Sequence, residues 1–318
     1  MRSSPSFART AAARLASRQR VVDLVEVAGL HTAADRLDLR RSGGDIAAVL
    51  LPAAPGAWSR RRVKAFRLAG KDQCVEAFHQ GGWWGYERPL PDLLLGWVRA
   101  HPGPVLDVGA NTGLYSLFAA STAGVTVHAF EAFPPVAQML RHNLGLNSVP
   151  GQVVVVPAAV TDSVGTVDLH VPAPTDGSVE TSCSVEESFK GGGGTVLTVP
   201  ATTLDAWWAE QGRPAVTTIK VDVEGAEHRV LAGGLQLLTT ARPVVFCEVL
   251  PGAELAELER VRALAGYVDV RLSQWEAVVG DEIRFHELAW NHALVPTERV
   301  GQLLDVVKAA GLLITRLD

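Results

Sequence analysis

The chain has 318 residues, of which 47% are hydrophobic and 20% are charged, a composition typical of a globular protein. Its formal net charge of -5 excludes long-range attraction to nucleic acid or to an anionic membrane surface. No apolar run approaches the roughly 18 uncharged residues that a membrane-spanning helix requires, so we expect a cytoplasmic protein.

The first hundred residues carry the weakest sequence signals. Residues 1–20 contain five arginines and no acidic residue, which superficially resembles a transit peptide, but we interpret them as a disordered tail. Residues 21–100 predict an N-terminal accessory region that caps the substrate, with short strands near 47–51 and 63–68 and a helix at 92–100. Within it, the aromatic and glycine-rich segment 78–88 predicts either a mobile lid or a packing element.

The stretch that begins at Val105 is the most informative part of the chain. Val105 to Val108 reads as a buried strand, which runs into a glycine-containing turn and then into an apolar helix from Leu114. A second strand, 125–130, ends at the acidic residue Glu131. The pattern predicts a βαβ unit with a carboxylate at the tip of its second strand, where such an acid commonly binds the two hydroxyls of a ribose.

The turn between this strand and helix indicates which cofactor it binds. A dinucleotide fingerprint needs a second glycine where this chain has Asn111, so a pyrophosphate is poorly provided for. No P-loop motif is present in the sequence either. Asp107 places a negative charge at the end of the strand, just before the turn that contains the glycines at 109 and 113. This charge repels phosphate and suits a cation such as the sulfonium or ammonium of S-adenosylmethionine. The alternative is an ordinary βαβ turn whose glycines serve only its geometry.

Later segments continue the alternation of strands and helices. The predicted helices cover about 134–144, 226–239 and 253–265, and the predicted strands cover 153–156, 217–221, 244–248, 268–272 and 293–295. Residues 165–199 predict a hairpin with a mobile tip, and its glycine run at 190–194 is interpreted as a second lid. Asp222 and Glu248 follow two of these strands, and ligands of an open α/β sheet bind at such carboxyl ends.

Seven sequence blocks resemble the FkbM family of S-adenosylmethionine-dependent methyltransferases, in the expected order and from about residue 102 to 296. The blocks are DVGANTGLYSL at 107–117, FEAFP at 130–134, AAVTD at 158–162, TTLDAWW at 202–208, IKVDVEGAEHRVLAGG at 219–234, PVVFCEV at 243–249 and NHALVP at 291–296. The first and fifth blocks are the most specific. One departure is Ala132-Phe133, where family members often carry Pro-Asn after the ribose-binding acid.

The resemblance implies a fold and a cofactor. The expected fold is a Rossmann-like class I methyltransferase of the α/β class over 101–318, with a mostly parallel twisted sheet flanked by helices, a closing antiparallel strand and an N-terminal extension. S-adenosylmethionine is the implied cofactor, and S-adenosylhomocysteine its product. The residues that we expect to contact this cofactor are Asp107, Gly109, Asn111, Gly113, Glu131 and Asp162.

The expected reaction is O-methylation of a hydroxyl on a small-molecule acceptor, such as a secondary metabolite or sugar. It requires a group that accepts the hydroxyl proton, and the candidates are Asp222, Glu248 and His228. Asp222 is preferred because it directly follows the fourth strand, although an acid there also serves as a helix cap.

Three alternatives stay open at this point. Asp222, Glu248 and His292 are a conceivable ligand set for a divalent cation, but no spacing demands a metal and we do not favour one. A nicotinamide-dependent oxidoreductase has the same topology but needs the missing glycine. A non-catalytic binding module would not need the carboxylates at 107, 131 and 222, and all three are present.

The three cysteines lack C-x-x-C spacing, which indicates a reducing compartment and no structural zinc.

Overall fold

The computed structural model describes residues 86–149, 151–173, 181–187 and 194–317, together with the backbones of two strands at 46–51 and 64–69. The strands are β1 (Ile46–Leu51), β2 (Lys64–Ala69), β3 (Val105–Val108), β4 (Thr126–Phe130), β5 (Gln152–Val156), β6 (Ala159–Val160), β7 (Gly165–Val171), β8 (Thr195–Thr202), β9 (Thr218–Val221), β10 (Val244–Glu248), β11 (Tyr267–Leu272), β12 (Glu276–Gly280), β13 (Asn291–Pro296) and β14 (Leu313–Arg316). The α-helices are α1 (Leu90–Ala100), α2 (Leu114–Ala120), α3 (Pro134–Gly145), α4 (Leu204–Glu210), α5 (Glu227–Ala232), α6 (Leu235–Ala241), α7 (Leu255–Ala265) and α8 (Val300–Ala309). None of the helices in these described ranges has the length and apolar character needed to cross a membrane.

Nine strands form the central sheet, in the order β14-β12-β11-β13-β10-β9-β3-β4-β5. The five strands from β10 to β5 in this order are parallel. The chain leaves β3 toward β4 and β5 and later returns to β9 on the other side of β3, so the strand order reverses there. This architecture confirms the predicted α/β fold with a mostly parallel sheet, and the reversal marks the place where such sheets bind ligands.

Helices cover both faces of the sheet because its central strands are apolar on both sides. On one face, Val105, Val244 and Phe246 pack with the buried side chains of α1, α2 and α8. On the other face, Leu106 and Ile219 pack with α4, α5, α6 and α7. The last eleven residues of the predicted accessory range, 90–100, therefore form part of the helical layer of the sheet.

The predicted hairpin after β5 is confirmed. β7 and β8 are antiparallel, and β6 pairs in parallel with β8 to complete a separate three-stranded sheet. The glycine-rich lid predicted at 190–194 lies outside the described residues except for Gly194. The segment 181–187 is described, and an isolated bridge between His170 and Ser184 ties it to β7.

The single helix predicted over 226–239 is wrong, because the chain forms two helices that are interrupted at Gly233-Gly234. A Cβ atom at Gly233 would lie 2.3 Å from the Thr161 carbonyl oxygen, so the backbones approach too closely for a side chain. The Asp205 carboxylate accepts hydrogen bonds from the backbone N–H groups of Gln236 and Leu237 at 2.9 and 2.7 Å. A carboxylate distant in sequence thus caps the second helix, which the local sequence pattern does not reveal.

The end of the chain contains more structure than the sequence predicted. β13 is antiparallel to both β10 and β11, which confirms the expected closing strand. The sequence analysis did not predict β12, β14 or α8. The two strands extend the sheet beyond β11.

At the other end of the chain, the strands predicted near 47–51 and 63–68 are confirmed as the antiparallel pair β1 and β2. The predicted tail at 1–20 and most of the predicted lid at 78–88 lie outside the described residues.

Candidate active site

A cavity of about 290 Å³ opens where the carboxyl ends of β3, β4, β9 and β10 meet. Its polar lining includes Glu87, Asn111, Glu131, Asp222 and Glu248. All except Glu87 follow or end a parallel strand, so the topology of the sheet brings them together as the sequence predicted.

The loop that follows β3 is held against β4 by backbone hydrogen bonds. The N–H groups of Gly109 and Ala110 both donate to the Phe130 carbonyl oxygen, at 3.1 and 2.9 Å. Gly109 has a φ of 76°, and a Cβ atom there would lie 1.7 Å from the Asp222 carbonyl oxygen. The glycine therefore permits the loops after β3 and β9 to touch.

Glu131 joins this loop to the tip of β4. One of its carboxylate oxygens accepts the Asn111 backbone N–H at 2.9 Å, and the other accepts the Phe133 N–H at 2.8 Å. A carboxylate has about four acceptor positions, so it retains capacity for two further donors such as a pair of hydroxyls. Burial raises the pKa of Glu131 to about 7, against the two hydrogen bonds that lower it.

Asp107 lies beneath the cavity wall and is not one of its lining residues. Its carboxyl group is buried, and one oxygen accepts the Ser116 hydroxyl at 2.6 Å. The other oxygen has no hydrogen-bond partner among the described residues. Burial raises the pKa of Asp107, while the nearby Lys220 ammonium lowers it.

Lys220 is a buried cation directly before the predicted catalytic acid. Its ammonium lies 2.5 Å from an Asp222 carboxylate oxygen and 4.7 Å from the centre of the Tyr115 ring. Burial alone lowers the pKa of Lys220, but the surrounding carboxylates, first Asp222 and then Glu87, raise it above its ordinary value. The Asp222 carboxylate is therefore the partner of a permanent positive charge.

Glu87 enters the cavity from the segment before α1. One of its carboxylate oxygens accepts the Tyr115 hydroxyl at 2.5 Å. Burial raises the pKa of Glu87, Lys220 lowers it, and Asp222 raises it again. Sequence analysis did not identify Glu87, which lies in the aromatic segment 78–88, because only the fold brings that segment beside β9.

Glu248 ends β10 and lines the same cavity beside Leu250 and Trp290. Burial raises the pKa of Glu248 to about 9, and the negative charges of Asp222 and Glu87 add to this effect. A carboxyl group with such a pKa is a far stronger base than an exposed one.

Three other predicted residues lie outside the cavity lining, namely Gly113, Asp162 and His228. Gly113 has a φ of 95° and directly precedes α2, so it allows the backbone to turn into this helix. Asp162 is exposed and lies 4.0 Å from Arg229, while His228 is half-buried in the first turn of α5. Their assigned roles stay predictions.

No side chain that the structure describes caps the first residues of α5 by a hydrogen bond, so the alternative role of Asp222 as a helix cap is not seen, and Glu227 bonds the turn that precedes this helix. One Glu227 carboxylate oxygen accepts the backbone N–H groups of Val223 at 3.0 Å and Gly225 at 3.3 Å. Burial raises the pKa of Glu227 to about 7.

The conceivable metal ligands do not come together. The ring of His292 is buried in the core, where its Nδ1 atom lies 2.8 Å from an Asp269 carboxylate oxygen. In the described part of the chain, no group of three or more His, Cys, Asp or Glu side chains has an arrangement that fits a metal ion.

The end of the cavity beside Glu131 is apolar. Ala132, Ala159 and Leu169 line it together with Cys183 and Val185 of the segment 181–187. The Ser184 hydroxyl donates to the Glu224 carbonyl oxygen at 2.9 Å, and Glu186 forms an ion pair with Arg229 at 2.8 Å. These contacts fix the segment as a wall of the cavity, and the apolar character of this wall suits a planar base. The small side chain at 132, where the family often has proline, is part of this wall.

Comparison with known proteins identifies relatives over the region that builds the cavity. The family described as "Methyltransferase FkbM domain" matches residues 107–268, which is half of the chain. The chain is 33% identical over 161 residues to a 31-O-demethyl-FK506 methyltransferase FkbM from Streptomyces tacrolimicus, covering 43% of this chain and 61% of that protein. It is 30% identical over 157 residues to a 2-O-methyltransferase NoeI from Sinorhizobium fredii, covering 44% and 61%. The match thus spans about three fifths of the length of these curated relatives.

Among solved structures, the chain is similar to a methyltransferase FkbM from Methylobacillus flagellatus, with a TM-score of 0.39 and 16% identity over 60% of this chain and 43% of that one. A putative O-methyltransferase from Klebsiella pneumoniae gives a TM-score of 0.38 and 14% identity over 66% and 81% of the two chains.

Proposed function

This chain belongs to the FkbM methyltransferase family, and from that premise we propose that it transfers a methyl group from S-adenosylmethionine to a hydroxyl of a small-molecule acceptor. The observation that carries the proposal is the arrangement of Glu131. Its carboxylate, buried at the tip of β4 and bonded to the glycine loop, retains acceptor positions that face the cavity.

The residues present fit this cofactor. Glu131 would accept the ribose hydroxyls, and the apolar wall formed by Ala132, Cys183 and Val185 would hold the adenine. Asp107 does not line the cavity, and its buried carboxyl group would favour the ammonium of the methionine portion through its negative charge. When bound, the cofactor supplies an electrophilic methyl group on a positively charged sulfur.

The chain's own residues then have three tasks, which are to orient the acceptor, to exclude water and to receive a proton. Leu250 and Trp290 lie beside Glu248, and Trp290 is 41% exposed, so they provide an apolar surface for the acceptor at this end of the cavity. As the acceptor oxygen forms its bond to carbon and the carbon–sulfur bond breaks, the hydroxyl proton must leave.

We assign the proton to Glu248 rather than to Asp222. The Asp222 carboxylate is bonded to the Lys220 ammonium, so it already has a partner that holds it in place. Burial and the neighbouring negative charges raise the pKa of Glu248 to about 9, so the ionised form of Glu248 is a strong acceptor for the hydroxyl proton. Asp222 fixes Lys220 and orients the acceptor.

Calorimetry with S-adenosylmethionine, S-adenosylhomocysteine and oxidised NAD tests the cofactor assignment directly. We expect both sulfur compounds to bind with one site per chain and NAD to bind far more weakly, because Asn111 replaces the glycine that a pyrophosphate needs. Tighter binding of NAD would instead support the oxidoreductase. Acceptors are then screened by following transfer of a labelled methyl group, with and without a chelator to detect a metal requirement.

A further inference from the structure

The carboxylates around Lys220 outnumber the cation that they surround. Glu87, Asp107, Asp222 and Glu248 each alter the pKa of Lys220, which places all four close to one positive charge. Lys220 itself is 3% exposed and bonded to Asp222. Four ionised carboxylates with one ammonium would leave a net charge of about −3 in a buried site, which is costly. The empty site is therefore expected to retain protons.

An independent feature shows that the described residues do not satisfy all of these carboxylates by themselves. One oxygen of Asp107, a residue only 2% exposed, has no hydrogen-bond partner among the described residues. A buried carboxylate oxygen without a partner is rare, and it indicates a donor or cation that the protein does not supply.

Three of the four carboxylates line the cavity, and besides Asp222 these are Glu87 and Glu248, which come from different elements. Glu248 ends β10, and Glu87 lies in the segment before α1, where the Tyr115 hydroxyl holds it. The Tyr115 ring also lies against Lys220, so the three side chains form one packed unit. Glu87 is outside the residues that match the family, and the family match alone gives it no role.

We propose that Glu87 and Glu248 hold one proton between them in the empty cavity and release it when the cationic cofactor binds, so that the site distinguishes the cofactor from its neutral product. This inference rests on the proposed function, because it takes S-adenosylmethionine to be the ligand. The proton passes from a carboxyl group to the buffer, and no covalent bond other than the O–H bond changes.

The direction of the effect follows from the groups that face the pair. Glu248 faces Asp222, Glu87 and Glu224 as negative charges and Lys220 as a positive one. Glu87 faces Lys220, Asp222 and the hydroxyls of Tyr115 and Tyr86. Burial and like charge favour the protonated pair in the empty site, and an added positive charge favours the ionised pair.

The two ligands differ by that charge. S-adenosylmethionine carries a sulfonium, an ammonium and a carboxylate, whereas S-adenosylhomocysteine lacks the sulfonium and is neutral overall. The proton that an acceptor hydroxyl loses during methyl transfer would return the pair to the state of the empty site.

Proton release is measured by titrating the whole protein with each ligand near pH 8, in buffers that differ in ionisation enthalpy. A group with a pKa of about 9 is roughly nine tenths protonated at that pH. We therefore expect S-adenosylmethionine to release roughly 0.5 to 1 proton more than S-adenosylhomocysteine. This comparison uses only the unaltered chain.

Substitutions then assign the proton. Glu248→Gln should abolish the difference between the two ligands, and Glu87→Gln should reduce it and shift the pH dependence of S-adenosylmethionine affinity to lower pH by about one unit. Glu210→Gln is the matched control, since it removes a carboxylate from an exposed helix end and should change neither quantity.

The outcomes separate this inference from the proposed function. Failure of both ligands to bind overturns the proposed function and the proton release with it. Binding of both ligands with equal proton release, or a Glu87→Gln protein that behaves like the unaltered chain, overturns only the role of the carboxyl pair.

Discussion

The buried carboxyl group of Glu131 makes ribose binding depend on pH, which gives a sharp test of the site. The ligand chosen is 5′-methylthioadenosine, which keeps the adenine and ribose but lacks the amino-acid charges and the sulfonium. Its binding therefore reports on Glu131 without the carboxylates around Lys220.

The magnitude follows from the protonation of this one group. With a pKa of about 7, roughly one tenth of the Glu131 carboxyl groups are ionised at pH 6 and roughly nine tenths at pH 8. Only the ionised form has two oxygens free to accept both hydroxyls while also accepting the N–H groups of Asn111 and Phe133. The affinity should thus rise about tenfold from pH 6 to pH 8.

Glu131→Gln removes the charge and replaces one acceptor oxygen with an amide. We expect it to weaken binding at pH 8 by about 1–3 kcal/mol and to remove the pH dependence, because an amide does not titrate in this range. Calorimetry or ligand competition at three pH values measures both effects, with circular dichroism as the control for folding. A dissociation constant that stays the same between pH 6 and pH 8 in the unaltered chain would refute the reasoning.

Four further predictions follow from other residues of the site. Gly109→Ala should lower the free energy of unfolding, measured with urea, by more than about 3 kcal/mol, because its Cβ atom would meet the Asp222 backbone. Gly124→Ala is the control, since Gly124 has a similar φ of 79° but open space around it, and it should cost only about 1 kcal/mol. Asp222→Asn should lower turnover by roughly 10²-fold, because it frees Lys220 and misplaces the acceptor while Glu248 still receives the proton, and near-normal turnover would remove Asp222 from the mechanism. His228→Gln should leave turnover within about threefold, since His228 does not line the cavity, and a larger loss would restore the catalytic role predicted for it. The free energy of unfolding of the ligand-free protein should fall as the pH rises from about 5 to 9, because the buried carboxyl groups bind protons more tightly in the folded state than in the unfolded state. Glu227→Gln should remove up to about 3 kcal/mol of that fall.

The sequence predicted the parallel part of the sheet well because its signals are local. Each of β4, β9 and β10 ends at an acidic residue or is directly followed by one, and in a parallel sheet those ends must meet. The juxtaposition of Glu131, Asp222 and Glu248 could therefore be inferred from chain order alone.

Features that depend on contacts between distant segments were not predictable in the same way. The division of the helix after β9 requires the approach of Gly233 to Thr161 and the cap from Asp205. Glu87 acquires its role only because α1 packs on the sheet and delivers the preceding segment to Tyr115. In the sequence, Lys220 only interrupts an apolar strand. Its role as the positive partner of the surrounding carboxylates is visible only in the structure.

The sheet extends past the family match at both ends, and this has a practical consequence for anyone who shortens the chain. A protein cut at residue 268 would keep two residues of β11 and lose β13, the strand that pairs with the outer side of β10. Removing the residues before 107 would also remove α1 and the first two residues of β3. The backbone groups of β10 that β13 had bonded would then be free to pair with another molecule, so such a fragment should aggregate even though it contains Glu131, Asp222 and Glu248.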